Sequence, residues 1–187
     1  MMKGWALALA FVLSACSSSN EKTYYQLPTV VETNATQARG AHVHPLWVEH
    51  VSVSDYLANA GLVYQTNDVQ YVIASNNLWA SPLDQQLQQA LVTNLGHQLP
   101  GWTVTTQPQG VDQAVLNVSV SGFHGRYDGN VVIRGEWLLT HQGNVIKRPF
   151  DIVLPQTDDG YDALVRALAQ GWKQVAQSIA RQAGELN

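Results

Sequence analysis

Five leucines stand at intervals of four, Leu83, Leu87, Leu91, Leu95 and Leu99, with Gln85, Gln86, Gln88 and Gln89 among them. That spacing puts the leucines on one stripe of an α-helix and predicts the glutamines on the opposite, solvent side; a strand, with its period of two, cannot produce it. Ser81 is placed to cap the helix. Pro82 suits the first helical position, where a missing N–H costs nothing, and Asp84 complements the helix dipole. Pro100-Gly101 ends the run. A second stripe, Tyr161, Leu164, Leu168, Trp172, Val175, Ile179 and Ala183, follows Asp158-Asp159 and predicts a closing helix of about 25 residues. Both stripes need an apolar surface to cover.

Segments of strand character supply that surface. In residues 46–53 the alternation sets Leu46, Val48, His50 and Ser52 against Trp47, Glu49, Val51 and Val53. Residues 61–66 and 69–74 are two apolar runs separated by Asn67-Asp68, which reads as a hairpin. Residues 102–106 follow the first helix as a short strand. Residues 115–123 alternate Leu116, Val118 and Val120 with Asn117, Ser119 and Ser121. Asp128-Gly129 suggests a type I′ turn into residues 131–140, and Gln142-Gly143-Asn144 turns the chain again into residues 145–154, giving an antiparallel meander. Tyr24-Tyr25-Gln26-Leu27-Pro28 reads as an edge strand closed by proline. The order is strands, helix, strands, helix, with no βαβα alternation. The expected fold is therefore α+β, a two-layer sandwich of a mostly antiparallel sheet with both amphipathic helices on one face.

Such a fold is within reach of 187 residues that are 45% hydrophobic. With one cysteine there is no disulfide framework. A formal charge of −4 and a pI near 5.8 leave no basic surplus for a phosphate backbone, which argues against nucleic acid as a partner.

The single cysteine closes a leader. Lys3 is followed by an apolar run over residues 5–13, then Ser14-Ala15-Cys16. This is the layout of a secretory signal, and its end resembles the bacterial lipoprotein signal, in which the cysteine is acylated and becomes the first residue. We expect residues 1–15 to be removed and Cys16 to carry the lipid. Residues 16–44 would then hold the lipidated cysteine, a small polar tether, the aromatic segment and a mobile connection, with a single periplasmic domain over residues 45–187. Several acyl chains make an essentially permanent anchor. Ser17, rather than Asp, follows the cysteine, and in the usual Gram-negative sorting logic this points to the periplasmic face of the outer membrane.

The chain carries no Gly-x-Ser-x-Gly elbow, Walker loop, dinucleotide fingerprint, His-Glu-x-x-His or Cys-x-x-Cys. His42, His44 and His50 could form a metal cluster, but a polar linker beside a strand is the preferred reading. His124, Arg126 and Asp128 could form an acid-base site, although the turn already accounts for Asp128. Trp79 reads as a staple on the helix start, and Trp172 as core. No catalytic residue, metal site or cofactor is assigned. The glutamine face is uncharged, so Gln85 and Gln89 could meet a protein partner without the cost of desolvating charge.

Several blocks together resemble the ABC-type transport auxiliary lipoproteins: residues 24–28 soon after the cysteine, residues 77–87 with Trp79-x-x-Pro82-Leu83, Gly125-Arg126-Tyr127-Asp128-Gly129, Gly135-Glu136-Trp137 and Lys147-Arg148-Pro149-Phe150. The match covers nearly the whole mature chain except residues 29–44. The resemblance implies an outer-membrane lipoprotein that works with a periplasm-spanning MCE-domain protein and, indirectly, an inner-membrane protein in moving lipids between membranes and maintaining the envelope. It also implies a folded, non-catalytic adaptor, which we expect to self-associate. The rival readings are a monomeric lipid- or solute-binding lipoprotein, which needs an apolar cavity between sheet and helices, and a hydrolase with a non-local site.

Overall fold

The computed structural model describes residues 21–28 and 44–185; the leader, Cys16, Ser17 and the connection over residues 29–43 lie outside the described residues. The elements in chain order are β1 (Thr23–Tyr25), β2 (His44–Val53), β3 (Gly61–Gln65), β4 (Tyr71–Trp79), α1 (Leu83–Gln98), β5 (Trp102–Thr105), β6 (Ala114–Arg126), β7 (Asn130–His141), β8 (Asn144–Pro155) and α2 (Tyr161–Gly184).

The sheet is organised around β6. One edge of β6 pairs along its length with β7, and β7 pairs with β8, both antiparallel: the meander expected from the turns. The other edge of β6 is shared. Its first half pairs with β2, which carries β5 beyond it, and its last residues, Gly125 and Arg126, pair with Tyr64 and Gln65 of β3, which carries β4 and then β1. The β3–β4 hairpin forms as expected, with Asn67 Oδ1 accepting from the backbone N–H groups of Val69 and Gln70.

The sheet is mixed, not mostly antiparallel. β1/β4, β2/β5, β2/β6 and β3/β6 all run parallel. Parallel neighbours have to be joined by crossovers, so these partners lie far apart in sequence: Leu46 pairs with Ala114 and Tyr24 with Leu78. Local patterning reveals hairpins and is silent about such pairs.

Side-chain alternation places the core. Leu46, Val48, Leu116, Val118, Val120, Ile133, Trp137 and Leu139 are buried, whereas Ser119 and Ser121 between them are exposed. The register of β2 on β6 shifts between Val48 and His50, so Glu49 is an extra residue and Val51 turns inward with Leu46 and Val48. The strict alternation expected over residues 46–53 breaks at that bulge. A second shift between Val120 and Gly122 leaves Phe123 packed against Trp172 and Trp79, among the core residues.

The two helices lie side by side over the core, joined where Trp172 Nε1–H donates to the Leu87 carbonyl at 3.0 Å. All five leucines of the expected α1 stripe are buried, and on α2 the expected residues from Leu164 to Ala183 are buried and Tyr161 is half-buried. Gly171 lets α2 approach β7 closely: a Cβ there would meet Ile133 Cδ1.

Helix and turn termini depart from the expected details. Pro82 is itself the capping residue, with φ −49° and ψ 134°, no side chain supplies a capping bond, and helical residues begin at Leu83. α2 begins at Tyr161 after Gly160, whose φ is +95°, leaving Asp158 and Asp159 in the preceding loop. The β6–β7 loop has three residues, with positive φ at Gly129 and not at Asp128, and Gly129 N–H donates to the Arg126 carbonyl, so it is not type I′. Positive φ at both central residues occurs instead in the β7–β8 turn, at Gln142 (48°) and Gly143 (79°).

Candidate functional site

Three places bear on function: the glutamine face of α1, the cleft around His124 of β6, and the end of the sheet formed by the β3–β4 hairpin tip and the β6–β7 loop.

On α1 the glutamines divide by role. Gln86 is buried rather than solvated: its Oε1 accepts from Leu27 N–H at 2.9 Å and its Nε2 donates to the Ser81 carbonyl at 2.9 Å, which ties the segment after β1 to the helix start. A buried amide with both ends satisfied costs little, and it fixes the register of what it joins. Gln88 is half-buried and donates to the Val48 and Glu49 carbonyls, where the β2 bulge leaves acceptors outside the regular ladder. Gln85 and Gln89 remain exposed. The face available to a partner is therefore narrower than the sequence suggests, and it is centred on those two residues.

The second place gathers residues from four strands. Bound by β3, β4, β6 and β7, a cleft of ≈ 450 Å³ is lined by Tyr71, His124, Arg126, Asp128 and Arg134 among others. His124 is buried, its ring 5.1 Å from that of Tyr71 in an edge-on arrangement and 6.5 Å from that of Tyr56. Burial depresses its pKa below the ordinary value, and Arg134 and Arg126 push in the same direction. With Nδ1 3.0 Å from the Gly125 carbonyl oxygen, the neutral ring keeps its proton on that nitrogen and donates.

Asp128 is committed elsewhere. It receives Arg126 Nε at 2.9 Å and Nη2 at 2.7 Å as well as Asn130 N–H, and this holds its carboxyl well below the usual carboxylate range. Tyr56 donates to the Ser121 carbonyl at 2.8 Å, and desolvation pushes its pKa up to about 12. A neutral histidine, a protonated tyrosine and a carboxylate locked to arginine form an aromatic shelf with a structural ion pair. The geometry brings His124, Arg126 and Asp128 near one another without aiming them at a common reacting atom.

The other sequence candidates separate. His44 packs on Trp102, their ring centroids 5.3 Å apart, and His50 lies six residues further along β2, about 20 Å at strand rise, so the two do not converge; His42 lies outside the described residues. Trp79 and Trp172 are core residues. The largest fully buried side chains, Trp137, Trp172 and Phe123, belong to the single apolar core shared by sheet and helices, the region where a lipid-binding cavity would have to lie.

The third place was not anticipated from sequence. Residues of the β3–β4 hairpin, Val69, Tyr71, Val72 and Ile73, are exposed although apolar, and so are Tyr24 of β1 and Tyr127 in the β6–β7 loop. The strand pairing puts the hairpin tip and that loop at one end of the sheet, because Tyr71 pairs with Gln65 and Gln65 with Arg126. The signal available in sequence was the run Tyr71-Val72-Ile73-Ala74, which is apolar at too many consecutive positions for a strand with one wet face.

Comparison with known proteins places this architecture. The chain is 56% identical over 184 residues, 97% of both sequences, to the intermembrane transport lipoprotein PqiC of Escherichia coli K12, and equally to that of Shigella flexneri. A crystal structure of an uncharacterized protein, 61% identical, superposes with a TM-score of 0.79 over 87% of this chain and 99% of its own. A Xanthomonas campestris protein assigned to the family model DUF330 shares the fold at 18% identity, with a TM-score of 0.67 over 88% of this chain and all of its own. The model of the ABC-type transport auxiliary lipoprotein component matches residues 25–180, from β1 to the last turns of α2. The chain belongs to the ABC-type transport auxiliary lipoprotein family.

Proposed function

We propose that this intermembrane transport lipoprotein is the outer-membrane component of a Pqi-type system, held by acyl chains on Cys16 with its domain in the periplasm. There it acts as a non-catalytic anchor and adaptor for a PqiB-like, periplasm-spanning MCE protein. Through that protein it couples indirectly to a PqiA-like inner-membrane protein and contributes to envelope integrity. The observation that carries the reading is the contrast between a side-chain-filled core and an unengaged, uncharged surface at Gln85 and Gln89. A protein-contact module needs such a surface and does not need converging reactive groups. Self-association fits the same design: anchored copies meet a partner at raised effective concentration, so weak contacts at each copy suffice.

Complementation of an envelope defect tests this reading. His124→Ala and Asp128→Asn should complement nearly as well as wild type, whereas Cys16→Ser should accumulate as unprocessed precursor and fail. Ser17→Asp should shift the protein toward the inner membrane on fractionation. Loss of complementation by a stably folded, correctly located His124→Ala or Asp128→Asn protein would replace the adaptor reading with a chemical one.

A further inference from the structure

The direction in which the chain leaves β1 constrains how the domain meets the bilayer. β1 runs parallel to β4 with Thr23 opposite Asn77, so the residues before Thr23 depart toward the start of β4, where the β3–β4 hairpin turns. Cys16 is seven residues before Thr23 and, at 3.3–3.6 Å per residue, can lie at most about 25 Å from it. The hairpin reaches as far: Tyr71 is six residues back from Asn77, about 20 Å at strand rise, and the turn carrying Val69 projects beyond. The tether is thus no longer than the hairpin beside it. The tether keeps the bilayer that receives the acyl chains within about 25 Å of Thr23, and its direction of departure brings that surface to the hairpin tip or the β1–β4 edge by the shortest path.

That corner is also where apolar surface is exposed. Val69 is 76% exposed, Tyr127 55% and Val72 54%, with Tyr71 and Ile73 beside them. Tyrosines with β-branched aliphatics are the mixture that settles at the headgroup level of a bilayer, an apolar body inside and a polar tip outside. The free sheet edges differ accordingly. The edge strand β8 carries Lys147, Arg148, Pro149 and Asp151, the usual guards of a strand facing water. The stretch of β4 from Tyr71 to Asn76, which has no partner on its outer edge among the described residues, carries neither charge nor proline. The charges nearby are predominantly acidic: Glu21 beside Lys22 before β1, Asp68 in the hairpin turn, and Asp158 and Asp159 before α2, while Arg126 is bound to Asp128. A zwitterionic surface fits this corner better than an anionic one.

We propose that the tip of the β3–β4 hairpin, with Tyr127 beside it, is a membrane-contact surface seated in the headgroup region of the bilayer that holds the anchor, and that it sets the orientation of the domain. The contact is weak alone and effective because the anchor keeps it at the surface. The inference rests on acylation of Cys16 as proposed above.

Because acylation consumes the only native cysteine, a single introduced cysteine can carry a probe. The full lipidated chain is prepared as Val69→Cys and, as a control at the start of β8 beside the β7–β8 turn at the far end of the sheet, Val145→Cys. Each is labelled with an environment-sensitive fluorophore and reconstituted into vesicles of phosphatidylcholine and phosphatidylethanolamine. Flotation with the vesicles, quenching of the Val69→Cys probe by nitroxide-bearing lipid, and several-fold slower quenching by aqueous iodide than at Val145→Cys are expected. Flotation with equal iodide quenching at both positions would overturn the contact surface while leaving the anchor intact. Protection from iodide without quenching by lipid would also overturn it, since another protein copy would then be the cover. Failure to float would remove the anchor and the inference with it.

Discussion

His124 is ionisable, yet its surroundings favour the neutral form: desolvation, two neighbouring arginines and an Nδ1–H already donated to Gly125. Its folded pKa lies below the unfolded value of about 6.5, so the unfolded state binds the extra proton. The associated stability is complete above that value and is lost as pH falls through the depressed folded value. Chemical denaturation between pH 7 and pH 5 should show a smaller loss of stability for His124→Gln than for wild type, and equal losses would mean that His124 is protonated without cost. The other residue under local tension is Gln142, at φ 48° in a turn whose two central residues both need positive φ. An L-residue with a bulky side chain pays for that conformation where asparagine pays less. Gln142→Asn should stabilise the protein by up to about 1 kcal/mol in a urea titration. In sequence Gln142-Gly143 is visible as a turn, but the type I′ signal falls on Asp128-Gly129, since a dipeptide does not reveal whether two or three residues bridge the strands.

The elements most legible in sequence are those whose partners are near. α1, α2, the β3–β4 hairpin and the β6–β7–β8 meander announce themselves through period, capping chemistry and turn residues. The parallel pairings do not, because what aligns Leu46 with Ala114 is a shared core and not a connecting turn. The Glu49 bulge was hidden for a related reason: an extra residue is recognisable only against the strand it fails to match. Gln86 shows the same limit on a helix, polar by type and buried because the Leu27 N–H and the Ser81 carbonyl need a partner. Leu87 and Leu91 are fully buried, and Leu→Ala at either should cost about 2 to 5 kcal/mol from transfer plus the residual cavity. Unchanged denaturation midpoints would contradict the packing of α1 on the sheet.

At the scale of the molecule, the helix layer closes the core. In the functions proposed above, the hairpin end faces the membrane and the exposed glutamines of α1 offer a neutral surface to a partner. The family was legible in sequence because its motifs sit where structure demands particular residues: Trp79 and Pro82 at the entry to α1, and Gly135, where a Cβ would meet the Ser119 carbonyl and Phe150. The candidate contact surface was only half legible, since the bonds that withdraw Gln86 and Gln88 from the glutamine face are made to Leu27, Ser81 and β2, far away or unpatterned in sequence. Capture of the PqiB-like MCE protein from solubilised membranes by the full lipidated chain tests the adaptor account most directly. Wild type should retain the MCE protein, and Gln85→Lys with Gln89→Lys should lose most of it at an unchanged denaturation midpoint. A wild-type chain that retains none of an MCE protein present in the same membranes would contradict the account.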